Sequence, residues 1–338
     1  MRPAASRTTA ERLVRHSDTR IVVLDELKIA FLPMPKSGCT SMLWTLADLA
    51  GLRRERFLRS QQHEVSRALT VHDMQRWRPT HRWLHHPEAR RREILADDSW
   101  LRFTIVRDPV ARLWSAWQSK LLLQEPRFVE RFSAEPWFPR GVASVDDLLD
   151  AFRSFVAALD AESDTAPHDA HWGPQSGLLA AFPVTWTGRA EAPETSLRTL
   201  RLHLAAQGVD PARVAGDVPR ENANPIPFHP CVYDEATAAI TARMYADDLA
   251  AWGYPAPSVA AEGAEEWRAT AARRLRLVGE LVERHLRIGD LLAVLDAQRS
   301  RAAAAERQVD ELRASTSWRL TAPLRRAGSL AREARARR

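Results

Sequence analysis

A short apolar run, Ile29 to Met34, stops at Pro35-Lys36-Ser37-Gly38 and gives way at once to a helical pattern. That pattern places Met42, Leu43, Leu46, Leu49 and Ala50 on one face and ends at Gly51. A β-forming run, a small glycine-containing turn and an amphipathic helix, in that order, make the repeating unit of an α/β fold. The order recurs. Leu101 to Val106 reads as a strand, with Asp108 as N-cap and Pro109 as the first-turn proline of a helix through Leu123. Pro183 to Thr187 reads as a strand closed by Gly188, and Glu194 to Gln207 as the helix after it. Ile21 to Leu24 is a further strand, set apart from Ile29 by polar Asp25-Glu26. These alternations predict an α/β domain with a central, mainly parallel sheet flanked by helices.

The remaining chain divides by composition. Residues 1–20 read as a flexible, Arg-rich arm and 21–257 as the α/β domain, within which Val145 to Leu159 and Tyr233 to Trp252 read as helices. Residues 264–313 hold no proline, and Leu281, Ile288, Leu292, Leu295, Ala302, Val309 and Leu312 recur at near-heptad spacing, with His285 and Arg299 interrupting. This predicts a long helix or short coiled coil, and a homodimer through it. Residues 314–338 form a basic tail with Trp318.

The 338 residues are 45% hydrophobic, enough for a sizeable core. A net charge of +6 favours anionic partners. Two cysteines, Cys39 and Cys231, make no disulfide framework and suit a reducing compartment. The first twenty residues have no apolar signal-like core, and no stretch is apolar enough to span a bilayer. The expectation is a cytoplasmic protein, free or held at the inner face of the membrane.

The turn Pro35-Lys36-Ser37-Gly38-Cys39-Thr40-Ser41 has the chemistry of a phosphate site. A glycine turn lets backbone N–H groups approach an anion, the helix N-terminus adds its dipole, and Ser37, Thr40 and Ser41 offer hydroxyls. It is not the nucleotide-triphosphatase loop, whose lysine follows the second glycine. Here Lys36 precedes Gly38. Only Lys28, Lys36 and Lys120 are lysines among 49 basic residues, so a lysine at this turn points to a need for a compact ammonium. The alternative is an ordinary turn with a solvated lysine.

Arg107 follows the third strand at its carboxyl end, where open α/β sheets bind ligands. Arg112, Ser115 and Ser119 then share a helix face, and an arginine fork with a serine hydroxyl suits a phosphate monoester. The alternative is an Arg107–carboxylate pair and a merely buried Ser115.

In this order the two segments resemble the donor-binding signatures of sulfotransferases that use 3′-phosphoadenosine 5′-phosphosulfate (PAPS). The resemblance implies a P-loop-like sulfotransferase fold. It implies that Lys36, Ser37, Gly38, Cys39, Thr40 and Ser41 hold the 5′-phosphosulfate, and Arg107 and Ser115 the 3′-phosphate. The likeness is greatest to the carbohydrate sulfotransferase branch of the chondroitin 4-O and HNK-1 type. Ala170-His171-Trp172, Val184 to Glu191 with Gly188-Arg189-Ala190-Glu191, and Tyr245-Ala246-x-Asp248-Leu249-x-x-Trp252-Gly253-Tyr254 resemble further segments of that branch. The cysteine pair common in animal members is replaced by Leu178 to Phe182, which agrees with a bacterial type. The Ser317-Trp318-Arg319 tail resembles one found in bacterial surface-polysaccharide enzymes.

Sulfuryl transfer asks for position, charge stabilisation and a base. Lys36 is the expected stabiliser of the leaving phosphate and His171 the expected base, with His168, His63 and Glu64 as alternatives. Arg189 and Glu191 face the donor or form a surface ion pair, and Asn222 and Asn224 cover the nucleotide or shape a turn before Pro225. No metal spacing is visible, so no metal is expected, and no nucleic-acid partner. The acceptor implied is a carbohydrate or glycolipid hydroxyl. A polysaccharide-assembly scaffold and a P-loop kinase are the competing readings.

Overall fold

The computed structural model describes residues 19–58, 65–160, 168–180, 182–215 and 223–327. Four strands, β1 (Val22–Leu24), β2 (Ile29–Leu32), β3 (Leu101–Val106) and β4 (Trp186–Arg189), lie in the order β1-β2-β3-β4. β2, β3 and β4 are parallel, with Phe31 beside Phe103 and Phe103 beside Trp186. β1 runs antiparallel to β2, so the sheet is mixed. Its connection, the tight turn Asp25–Leu27 with Lys28 at φ 49°, is far too short for a parallel crossover.

Every residue of β1, β2 and β3 is buried, as strands covered on both faces must be. The principal helices are α1 (Cys39–Leu49), α2 (Glu88–Ala96), α3 (Pro109–Trp117), α4 (Val145–Ala158), α5 (Pro193–Ala206), α6 (Glu235–Met244), α7 (Ala246–Trp252) and α8 (Ala264–Ala314). Alternate strand residues go to opposite faces. Val22, Leu24, Ile29, Phe31, Leu101, Phe103 and Ile105 pack with α1 and with Leu197, Leu200 and Leu204 of α5. Val23, Ala30 and Leu32 pack with Trp83, Ile94, Trp100 and Phe182. A third core gathers α3, α4, Tyr233, Tyr245 and the start of α8, with Trp114 and Trp117 stacked at 5.3 Å.

Four departures from the sequence reading have physical causes. β4 contains Gly188 instead of ending before it. A Cβ there would stand 2.6 Å from Ser196 Oγ and 2.6 Å from the Trp186 ring, so glycine is what lets α5 lie against the strand. The helix after Arg107 changes at Gln118–Leu122 to a π-helical turn, which rotates Ser119 and Lys120 relative to a regular helix. The segment 233–252 is two helices, because buried Tyr245 leaves helical geometry and donates its hydroxyl to Trp172 O at 2.5 Å. The first turns of α8 are core: Trp267 is buried and its indole donates to Pro227 O at 2.9 Å, while buried His285 bonds Leu123 O at 2.6 Å. Among the described residues one compact unit runs to Leu286, and residues 287–327 belong to a second. In that second unit Leu291, Val294, Leu295, Val309 and Leu312 are exposed. Among the described residues no helix is long and apolar enough to cross a membrane.

Candidate functional site

The three parallel strands end at one edge of the sheet, and the loops that follow them line a single cavity of about 790 Å³. Lys36, Ser37, Gly38, Cys39, Thr40 and Ser41 come from the loop after β2 and the start of α1. Arg107 and Ser115 come from the end of β3 and from α3, and His171 from the segment before the short helix Gln175–Leu179. These nine residues therefore line the same cavity. Six of its lining residues, Arg20, Lys36, Arg107, Lys120, Arg127 and Arg189, are basic, against Asp108 and Glu191. A concave site with that imbalance concentrates anions.

The Lys36 loop is held in a strained shape. Lys36 itself has φ 67°, a left-handed conformation that costs a non-glycine residue free energy and persists only when its surroundings fix it. They do so from three sides. Arg112 donates through Nε to Pro35 O at 2.9 Å, Arg107 Nη1 donates to Lys36 O at 3.3 Å, and Lys36 Nζ donates to Ser119 Oγ at 2.9 Å. Gly38, at φ 78°, begins α1 with no side-chain cap, so the first N–H groups of the helix are left for a ligand. Nothing lies within 4 Å of where a Gly38 Cβ would be, which leaves the backbone open to close approach.

Gln175 joins the two loops. It is fully buried, and its Oε1 accepts from Ser37 Oγ at 3.2 Å and Arg107 N at 3.0 Å while Nε2 donates to Arg107 O at 2.9 Å. Asp248, also fully buried, accepts the backbone N–H groups of Gln175 at 2.7 Å and Ser176 at 2.8 Å. No sequence signal marks Gln175, a single polar residue in a loop. Asp248 stands out only within the family-like closing helix.

Arg112 corrects the expectation that it reaches a phosphate. It is fully buried, and its fork is spent on Pro35 O, Gly173 O at 2.9 Å and Ala170 O at 3.0 Å. It braces the Lys36 loop against the His171 segment. Ser115 keeps its side of the cavity, and Asn224, also on the wall, donates to Ser115 O at 3.2 Å.

Around His171 the charges are paired. Asp169 accepts from His171 Nδ1 at 2.6 Å and from His171 N at 2.9 Å, and its other oxygen takes Arg131 at 2.8 Å. This bond fixes the tautomer that leaves Nε2 as the acceptor nitrogen. Burial and the Lys120 charge push the His171 pKa down to about 4 against the pull of Asp169, so the ring is neutral at ordinary pH. Lys120 is buried, ion-paired with buried Glu125 and 5.4 Å from the centre of the Phe128 ring. Burial and Lys120 also lower Lys36 to about 7. Half-buried His72 bonds Thr40 Oγ1 at 2.9 Å, and desolvation drives its pKa well down.

The alternatives to His171 fare differently. His168 is exposed and outside the cavity lining, with its carbonyl accepting from Arg131. His63, Glu64 and Asn222 lie outside the described residues. Arg189 and Glu191 line the cavity but are not paired with each other. Glu191 accepts from Asp108 N at 2.9 Å and from the Tyr254 hydroxyl at 3.0 Å, while Arg189 stacks on Tyr254 at 4.7 Å and donates to Trp252 O. Among the described residues no group of three or more His, Cys, Asp or Glu could hold a metal ion.

No curated protein and no solved structure matches the chain. A family model described as the sulfotransferase family matches residues 19–224, a span that holds the whole sheet, the Lys36 loop, Arg107, Ser115 and His171. That match covers more than half of the 338 residues, and with it the chain belongs to the sulfotransferase family.

Proposed function

We propose that the protein transfers the sulfuryl group of PAPS to a hydroxyl of a carbohydrate or glycolipid, in the modification of a bacterial surface polysaccharide. The observation that carries this reading is the convergence of the uncapped α1 turn, Arg107, Ser115 and the His171–Asp169 pair on one basic cavity. The residues suit the donor: the α1 turn with Lys36 takes a phosphosulfate, and Arg107 with Ser115 takes a phosphate monoester at the neighbouring strand end. The carbohydrate acceptor rests on the likeness of the His171, Gly188 to Glu191 and Tyr245 to Tyr254 segments to the carbohydrate branch.

In the reaction the acceptor oxygen attacks sulfur, the bond from sulfur to the bridging phosphate oxygen breaks, and the acceptor proton passes to His171 Nε2. Asp169 stabilises the imidazolium that results. Lys36 and the first N–H groups of α1 take up the charge released on the departing phosphate. The second unit would serve location: Trp318, Leu320 and Leu324 are exposed beside Arg319 and Arg325, a composition suited to an anionic membrane surface, and the seam before them to a second copy.

Calorimetric titration with 3′-phosphoadenosine 5′-phosphate beside ATP tests the donor site, with Lys36→Ala and Arg107→Ala as controls. Binding of the bisphosphate, preference over ATP and loss in both variants are expected. Labelled sulfate from PAPS should then reach a glycan hydroxyl. Failure of the wild-type chain to bind the bisphosphate would overturn the reading, and transfer only to phenols or peptides would overturn its acceptor half.

A further inference from the structure

The π-helical turn Gln118–Leu122 serves the site through three side chains at once. Ser119 accepts from Lys36 Nζ at 2.9 Å, and Lys120 lines the cavity. Gln118 holds both backbone groups of Ile226 in the cavity wall, donating to its carbonyl at 2.8 Å and accepting from its N–H at 3.2 Å. A regular helix would aim these side chains elsewhere, so their convergence depends on the turn keeping its shape. That shape is costly. π-helical geometry is rare, and the chain leaves it through Gln124 at φ 51°, a left-handed conformation that a non-glycine residue keeps only where its surroundings impose it.

The element that imposes it is α8. Leu123 closes the π-helical turn, a position whose carbonyl the helix itself leaves unbonded. His285 of α8, 8% exposed, meets that carbonyl through Nδ1 at 2.6 Å. A carbonyl only accepts, so Nδ1 carries the proton and donates. The same helix holds the wall segment next to Ile226: the Trp267 indole donates to Pro227 O at 2.9 Å, and Pro227 lines the cavity. Helix α8 therefore grips both the turn and the segment that the turn grips through Gln118. It does so from well beyond residue 224, where the match to the sulfotransferase family ends.

We propose that His285 is a positioning residue of the sulfotransferase site: it locks the π-helical turn and thereby sets Ser119 and Lys120 against Lys36, so that the catalytic unit is complete only with α8 as far as Leu286. The effect on the site rests on the donor reading above, whereas the locking of the turn does not.

Lys36 reports the placement. The charged and titratable groups around it are Lys120, Cys39, Arg107 and Glu125; after burial itself, Lys120 presses its pKa down most, and Glu125 pulls it up least. If the turn slips, Lys120 and its partner Glu125 recede together and water enters. Both changes raise Lys36.

The test compares the full chain with His285→Leu, His285→Gln and His285→Asn. An asparagine amide nitrogen falls where Nδ1 lies and keeps the bond to Leu123 O. Leucine lacks a donor, and the glutamine amide is displaced by one carbon. Deuterium exchange of the peptide holding the amides of Leu123, Gln124 and Glu125 should be about five-fold or more faster in the Leu and Gln variants and near wild type in Asn. The pH at which affinity for 3′-phosphoadenosine 5′-phosphate begins to fall should rise by about half a pH unit in Leu and Gln, and not in Asn. A thermal midpoint confirms that each variant is folded at the temperature used. Unchanged exchange in both Leu and Gln, or equal acceleration in all three variants, would overturn the lock. Faster exchange with an unmoved pH profile would overturn the positioning role. If the wild-type chain bound no bisphosphate, the proposed function would fall, while the exchange comparison would still decide whether His285 holds the turn.

Discussion

The Lys36 ammonium donates to the Ser119 hydroxyl at 2.9 Å, on a π-helical turn whose next residue is Lys120. Burial, with the charges of Lys120 and Arg107, holds Lys36 at about 7 in the ligand-free protein. A bound phosphate supplies countercharge and raises that pKa. Bisphosphate affinity should therefore be full below pH 7 and fall as pH climbs through the free-state value, by up to about tenfold per pH unit. Calorimetry at pH 8 in buffers of different ionisation heat should show proton uptake on binding. Identical heats in the two buffers would refute the assignment, and Lys36→Arg should remove the pH dependence.

Gln175 should matter to stability as much as to activity. Gln175→Leu has nearly the same volume but leaves the Ser37 hydroxyl and both backbone groups of Arg107 without their partner. Stranding these groups should cost about 3 kcal/mol. Asp248→Asn acts on the same network, so the two losses should not add. Urea unfolding of the two single variants and the double measures the coupling. Strict additivity would show that the clamp does not act as one unit.

The sequence made the Lys36 and Arg107 loops legible because both obey local rules: a strand that stops, a small turn or N-cap, a helix that starts. The sheet's three parallel strands and the cavity residues on their ends follow from those rules. What holds the loops was not legible. Arg112 sits on the helix face that a phosphate ligand would occupy, and only tertiary packing reveals that it binds three carbonyls. Gln175 meets partners 138 and 68 residues away. Lysine rarity is a partial signal: Lys36 and Lys120 line the cavity, but Lys28 pairs with Asp97 at the surface. The break at Tyr245 has no local cause in composition, since it comes from a hydroxyl reaching Trp172 O.

Gly188→Ala tests the contact between β4 and α5. The added methyl would meet Ser196 Oγ and the Trp186 ring at 2.6 Å, and Trp186 lies against Phe103 at 6.1 Å in the sheet core. Overpacking of this kind should cost about 1–3 kcal/mol. Pairing it with Ser196→Ala removes only one of the clashes, so recovery should be partial. A thermal midpoint equal to wild type in Gly188→Ala would show that the two elements can separate freely.

Asp169 orients His171, and the pH dependence of turnover should show it. The acid limb of kcat/KM reports the free protein, in which burial and Lys120 press His171 down to about 4 while Asp169 holds it up. Activity should persist well below pH 6, with its acid limb near 4. Asp169→Asn withdraws the supporting charge, so the limb should move to lower pH. The amide can also leave the ring in the wrong tautomer, and kcat should drop on the order of 10²-fold or more. Lys120→Gln withdraws the opposing charge, so its limb should move upward. The two variants must shift in opposite directions if His171 carries the titration. A limb near 6.5 that neither substitution moves would assign the base to another group.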